Sequence, residues 1–334
     1  MFFNDKKILV IGGTGTIGQR LVSTILEEDP KLVKIYSRDE YKQYQLLNTF
    51  NNDDRLQAVI GDVRDFERLH QSMQGIDYVF HLAAMKQVAM CEHNPYEAVK
   101  TNVMGTENVI NAAIAQKVKK VVFTSSDKAI SPPNAYGATK LIGEKLISSA
   151  EQGREKGQTI FASVRFGNVM GSRGSVIPLF KEQILQQKKI TITDKDMTRF
   201  MMTLQQATLL TIKALKEAKG GEVFVLKMPV IKLEDLGSLL IEEICKKHGM
   251  DSDEISIELM GLRPGEKMYE ELMTYDESLE AWELPDMFII PGNASNSLAY
   301  HQAKKPTPGT YGSMEQDPLD IAQLRTLLKE AHLI

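Results

Sequence analysis

Near-continuous apolar runs punctuate the first half of the chain at residues 7–11, 32–36, 56–60, 78–82, 120–124 and 159–165. Runs of this kind, without polar alternation, are the signature of strands covered on both faces. Amphipathic stretches lie between them; Val22, Ile25 and Leu26, for example, fall at helical spacing after the first run. Strand and helix therefore alternate, and the pattern predicts a doubly wound parallel sheet. A helix is expected over 96–116, with Val99, Val103, Val109 and Ala113 on a face that meets the core or another subunit, and with Asn102 propping the nearby strands. Beyond Gly167 the elements shorten and Gly and Pro become frequent, as in Gly171-Ser172-Arg173-Gly174-Ser175 and Leu262-Arg263-Pro264-Gly265-Glu266-Lys267. The chain is thus expected to divide into 1–167 and 168–334, with a strand near 222–226 returning to the main sheet.

Composition removes several classes. With 334 residues and 43% hydrophobic content the chain can bury a large core. A net charge of −4, with Lys and Arg scattered, offers no field for nucleic acid. Cys91 and Cys245 are too few for a disulfide framework, and the six histidines show no metal spacing, so no metal is expected. The N-terminus reaches charge too soon for a signal peptide, and no apolar run approaches the ~20 residues of a membrane span, so no membrane partner and a cytoplasmic location are expected.

The first run leads directly into Gly12-Gly13-Thr14-Gly15-Thr16-Ile17-Gly18 and then a helix. Strand, glycine turn and helix in that order form a cradle for a pyrophosphate, held by the free N–H groups and dipole of the helix start. Gly12, Thr14, Gly15, Thr16, Ile17 and Gly18 are therefore expected to hold a dinucleotide. The fold class expected is a Rossmann-type α/β sheet with a smaller C-terminal substrate domain. At the tip of the second strand stand Ser37 and Arg38, with Lys42 close behind, where an NAD site usually carries a carboxylate for the ribose. A guanidinium can fork onto a 2′-phosphate, so NADP is expected in preference to NAD. Asp62 and Val63 after the third strand would flank the adenine, and Leu82, Ala83 and Ala84 after the fourth would floor the site.

Chemistry concentrates in 124–140, which reads Thr-Ser-Ser-Asp-Lys-Ala-Ile-Ser-Pro-Pro-Asn-Ala-Tyr-Gly-Ala-Thr-Lys. Tyr136 and Lys140 are one helical turn apart, so an ammonium beside the phenol is expected to favour its ionised form. Asp127 and Lys128 fall at the C-terminal end of a strand, where open α/β sheets place their ligands. The bland alternative for that pair is an ion pair on a surface loop, worth at most ~1 kcal/mol.

These motifs resemble the extended short-chain dehydrogenase/reductase superfamily. Asp127-Lys128-Ala129 placed before Tyr136-Gly-Ala-Thr-Lys140 is similar to the soluble UDP-N-acetylglucosamine 4,6-dehydratases, whose short branch includes enzymes that invert at C5. The resemblance implies a cycle in which Tyr136 takes the proton of the 4-hydroxyl, Lys128 removes the C5 proton and Asp127 protonates the departing 6-hydroxyl, with Ser126 bonding the 4-oxygen. It also implies UDP-N-acetylglucosamine as partner, a homo-oligomer, and Asn168, Arg199, Arg263 and Glu266 on the nucleotide diphosphate, with Lys86 and Arg173 as further substrate contacts. A UDP-sugar 4-epimerase or reductase of the same fold, and a non-catalytic NADP-binding regulator, are the alternatives.

Overall fold

The computed structural model describes residues 1–150, 158–172, 174–263, 265–292, 300 and 302–334. Its centre is a nine-stranded sheet. The first six strands in sequence are β1 (Lys7–Ile11), β2 (Leu32–Ser37), β3 (Leu56–Ile60), β4 (Tyr78–His81), β5 (Lys120–Thr124) and β6 (Ile160–Arg165). They lie parallel in the order β3-β2-β1-β4-β5-β6. Alternate strand residues feed two cores: Ile8, Val10, Ile35, Phe80 and Val122 belong to one, Leu9, Ile11, Tyr36, Val79 and Val121 to the other. This double coverage is why the runs are apolar without alternation.

After β6 the sheet takes in Val223–Leu226, parallel to β6, and then two antiparallel strands, Met287–Ile290 and Trp282–Glu283. Beyond Gly167 the helices Val176–Gln187, Leu233–His248 and Ile321–Glu330 pack a separate core around Phe180, Ile184, Leu236, Leu240 and Leu328, while the helix Leu204–Glu217 joins the core of the main sheet through Ala207, Ile212 and Leu215. A three-stranded sheet of Val230–Lys232, Thr198–Met202 and Asn168–Val169 faces the main sheet's C-terminal ends and carries Asn168 and Arg199. Among the described residues no helix is long and apolar enough to cross a membrane.

The helix anticipated over 96–116 is interrupted. Pro95–Val99 and Gly105–Ala115 are α-helical, but Lys100–Met104 between them forms a π-helix. The wider turn rotates the buried face, so Val99 is exposed and Val103 only partly covered, while Thr101, Asn102, Gly105, Thr106 and Val109 turn inward. Asn102 uses that position fully. Its Oδ1 accepts from the Met85 N–H at 2.8 Å, and its Nδ2 donates to the Met85 carbonyl at 2.9 Å and to Thr139 Oγ1 at 3.0 Å.

A buried joint ties β6 to the later chain. Arg165, 1% exposed, pairs with Glu144 at 2.6 Å and Glu277 at 2.9 Å and donates to the Leu272 carbonyl at 2.9 Å.

Candidate active site

Strand order reverses between β1 and β4, and a cleft opens there along the strands' C-terminal ends. Its volume is about 1360 Å³. The helix Thr16–Leu26 (α1) starts at its floor, and Gly15 at the cap offers no side chain to its first N–H groups. Gly12 has φ +84°, and a Cβ there would stand 2.8 Å from the Ala83 nitrogen, so the turn needs glycine both for its conformation and for the close pass of the chain after β4. Thr14, Thr16, Ile17, Gly18, Leu82, Ala83 and Ala84 line the same floor. A glycine cradle below an uncapped helix start is the fit expected of a dinucleotide pyrophosphate.

The far end of the floor is set by β2 and β3. Ser37 Oγ accepts from Gln43 at 2.9 Å, which leaves its proton available. Arg38 is 63% exposed and stands 3.8 Å from Asp62, whose carboxylate is already forked by Arg64 at 2.6 Å. Lys42 pairs with Asp39 at 2.6 Å. Val63, Ser37, Arg38, Lys42 and Asp62 all face the cleft.

At the opposite end, the helix Ala135–Ser149 delivers Tyr136 and Lys140. Asn134 caps it, accepting from the Gly137 N–H at 2.8 Å while its Nδ2 holds the Gly265 carbonyl at 3.0 Å. A Cβ on Gly137 would sit 2.0 Å from the Lys128 carbonyl oxygen. Glycine at that position therefore lets the Asp127–Ala129 turn press against the helix and brings Lys128 beside Tyr136.

The ammonium expected beside the phenol is elsewhere. Lys140 donates to the Thr124 carbonyl and lies over the Phe123 ring, 4.0 Å from its centroid. Burial pulls Lys140 down to about 7, against the opposing charge of Glu144. Burial also pushes the Tyr136 phenol up; what draws it back is the Ser126 hydrogen bond and the Lys128 charge, not Lys140. One turn of helix fixes where two side chains start, and here Lys140 extends under the helix to the buried C-terminal end of β5 instead of along its surface.

Asp127 and Lys128 are not a solvated loop pair, since the Asp127 side chain is 1% exposed. Lys128 Nζ stands 3.1 Å from Asp127 Oδ2 and 2.9 Å from Glu270 Oε1, and Ser126 donates to Asp127 Oδ1 at 2.6 Å. Burial opposes the Asp127 charge, but Lys128 and the hydrogen bonds from Glu270 and Ser126 outweigh it and hold the carboxyl at about 2. Lys128 is burdened by burial as well, and the two carboxylates push it above its ordinary value. At rest this pair is therefore carboxylate and ammonium, the reverse of the neutral forms that the elimination roles require.

The Glu270 carboxyl is pushed up to about 7 by burial and by the adjacent Asp127 charge. Sequence reasoning stopped four residues short of it, at Glu266. The available signal was a pair of carboxylates, Glu270 and Glu271, set between the apolar Met268-Tyr269 and Leu272-Met273. Asn168 donates to Glu270 Oε2 at 3.0 Å, and Arg199 Nε lies 3.4 Å from Glu270 Oε1. Arg199 also donates to the Thr198, Lys267 and Met268 carbonyls and reaches Glu266 at 3.9 Å. Glu266 accepts from Thr193 and from the Arg263 N–H, while the Arg263 side chain points outward over Met260. Lys86, Asn168, Arg199, Arg263 and Glu266 all line the cleft. Arg173 lies outside the described residues.

The same architecture recurs in known proteins. The X-ray structure of Pen from Bacillus thuringiensis is 57% identical, covers 100% of both chains and superposes with a TM-score of 0.94. A UDP-glucose 4-epimerase of Rickettsia massiliae is 43% identical over 335 residues, covering 98% of this chain and 96% of its own. The dTDP-glucose 4,6-dehydratase DesIV from Streptomyces venezuelae, solved with NAD and TYD bound, is 21% identical with a TM-score of 0.69 over 78% of this chain and 86% of its own, and shares the fold. The sheet order, the glycine cradle and the Tyr136–Lys140 helix are thus those of the extended dehydrogenase/reductase fold found in nucleotide-sugar epimerases and dehydratases, and over residues 8–292 the chain matches, and belongs to, the polysaccharide biosynthesis protein family.

Proposed function

We propose that this protein is an NADP-dependent UDP-N-acetylglucosamine 4,6-dehydratase. The observation that carries the reading is the buried Asp127 carboxylate with the half-buried Lys128 against it in the cleft beside Tyr136. A buried ion pair costs several kcal/mol of desolvation that its attraction barely repays, so it is a poor stability device. An acid and a base beside the oxidising tyrosine are what loss of water from C5 and C6 needs, whereas epimerisation at C4 needs neither.

Gly12, Gly15 and the start of α1 would hold the pyrophosphate, and Ser37, Arg38 and Lys42 the 2′-phosphate. When bound, the cofactor would supply the site that takes the C4 hydride and gives it back at C6. The chain's own groups do the rest. Tyr136 takes the proton of the 4-hydroxyl, with Ser126 and Lys128 lowering the cost of its ionised form. The 4-ketone acidifies C5–H, Lys128 removes that proton as a free amine, and Asp127 as a carboxylic acid protonates the 6-oxygen, which leaves as water. Arg199, Arg263, Glu266 and Asn168, from the later half of the chain, would receive the nucleotide diphosphate and its sugar.

The Rickettsia relative favours a second reading, a UDP-glucose 4-epimerase, because its likeness spans nearly the whole chain. Incubating the pure protein with UDP-N-acetylglucosamine and, separately, with UDP-glucose, and weighing the products, decides between them. Dehydration removes one water from the first substrate. An unchanged mass with an inverted C4 would replace the dehydratase reading by the epimerase one.

A further inference from the structure

Elimination needs Lys128 without its proton and Asp127 with one, yet the resting pair holds the opposite charges. A third group must accept the proton that Lys128 gives up.

Glu270 occupies the place such a group requires. It enters from the opposite wall of the cleft, 142 residues along the chain from Lys128, and touches the Lys128 ammonium at 2.9 Å. Its carboxyl also hydrogen-bonds Asp127. Its remaining contacts are Asn168 Nδ2 at 3.0 Å and Arg199 Nε at 3.4 Å, and its own N–H donates to Ser313 Oγ at 3.0 Å. Asp127 and Lys128 from the turn and Arg199 from the strand Thr198–Met202 are the charged groups that face it. Glu266 comes no closer than the far side of Arg199. Two carboxyls and one amine in mutual contact form a closed circuit for a single proton.

We propose that Glu270 is the positioning residue of the elimination, taking the Lys128 proton and passing it through Asp127 to the departing hydroxyl. The inference rests on the dehydratase reading. The circuit balances with one proton. Lys128 ammonium gives its proton to the Glu270 carboxylate, which passes it to Asp127. The C5–H bond then breaks, its proton going to the Lys128 amine and its electron pair making C5–C6 a double bond, while the C6–O bond breaks and the oxygen leaves with the Asp127 proton. The three groups end as they began, with no external acid or base. Glu270, pushed up to about 7, lies between Lys128, held above its ordinary value, and Asp127, held at about 2, so it divides one steep uphill transfer into two smaller ones.

The test is Glu270→Gln, which keeps the shape and the Asn168 contact but cannot carry the proton, alongside Glu270→Asp. In wild-type holoprotein, isotope-edited infrared spectra should show a protonated-carboxyl band that titrates near neutral pH and disappears in Glu270→Gln. With UDP-N-acetylglucosamine in deuterated water, Glu270→Gln should lose ~100-fold or more in water loss and in C5 deuterium exchange while still binding NADP, and Glu270→Asp should recover part of both. Water loss within threefold of wild type and an unaltered pH profile in Glu270→Gln overturn the proposal while leaving the dehydratase reading intact. A wild type that releases no water overturns that reading instead. Absence of the titrating band overturns the assignment of Glu270 whichever reaction the protein runs.

Discussion

Replacing Asn102 separates a polar clamp from mere shape. Asn102 is 1% exposed and makes three hydrogen bonds, accepting once from Met85 and donating to Met85 and Thr139. Asn102→Ala removes all three, at about 1 kcal/mol each, so a loss of about 3 kcal/mol is expected. Asn102→Asp has nearly the same shape and keeps the acceptor, but at neutral pH it sets a buried carboxylate against the Met85 carbonyl and the Thr139 hydroxyl. The cost of an uncompensated buried charge raises the loss to on the order of 5 kcal/mol. At about 2 °C per kcal/mol for a chain of this size, the midpoints at pH 7 should fall by about 6 °C for Ala and about 10 °C for Asp. The Asp variant also has a distinctive pH dependence. Its folded-state pKa must lie above the ~3.9 of the unfolded chain, so the stability it contributes is full below that value and is lost as pH rises through the folded one. Its deficit relative to Asn102→Ala should therefore shrink, and then reverse, as pH falls from 7 toward 4, because the protonated acid again has a donor for Met85. Differential scanning calorimetry of both variants across that range provides the measurement. An Asp variant that melts at or above the Ala variant at pH 7, or a gap indifferent to pH, would refute the clamp.

Arg38→Ala should weaken NADP about tenfold and NAD less than twofold, read by titrating each dinucleotide, since only the 2′-phosphate would engage the guanidinium; equal losses would remove the case for NADP. Tyr136→Phe should keep dinucleotide binding but lose ~100-fold or more in turnover with UDP-N-acetylglucosamine, and near-normal turnover would mean another group is the base. Asp127→Asn and Lys128→Ala should both stop water loss, yet substrate recovered from deuterated water should carry deuterium at C5 with the first variant and none with the second. The opposite labelling would make Lys128 the acid and Asp127 the base, in keeping with their resting charges.

The sheet was legible because strands covered on both faces leave an unbroken apolar signal, and the glycine turn because its geometry admits little else. What escaped depends on partners distant in sequence. Met287–Ile290 is an apolar run, but nothing local says that it closes the sheet antiparallel beside Val223–Leu226. The π-helix at Lys100–Met104 places Asn102 against Met85 and Thr139, a contact between three separate segments. Residues 124–140 were readable as one cluster, since Tyr136, Asp127 and Lys128 meet by short-range geometry. The reach of Lys140 to Thr124 is a matter of rotamer, and Glu270 arrives from the other half of the chain; spacing encodes neither.

The Arg165 joint bears on how the protein is made. As the chain leaves a ribosome, Arg165 is complete 107 residues before Leu272 and 112 before Glu277. Until then its guanidinium has Glu144 alone, and until Val223–Leu226 is made the edge of β6 that receives it is bare. An exposed edge beside an under-satisfied cation favours delay over premature closure, because burying the cation early forfeits two of its three partners, Glu277 and the Leu272 carbonyl. The half that carries the glycine cradle is thus translated first, but Arg165 gains its full set of partners only when the segment reaching Glu277 has been synthesised.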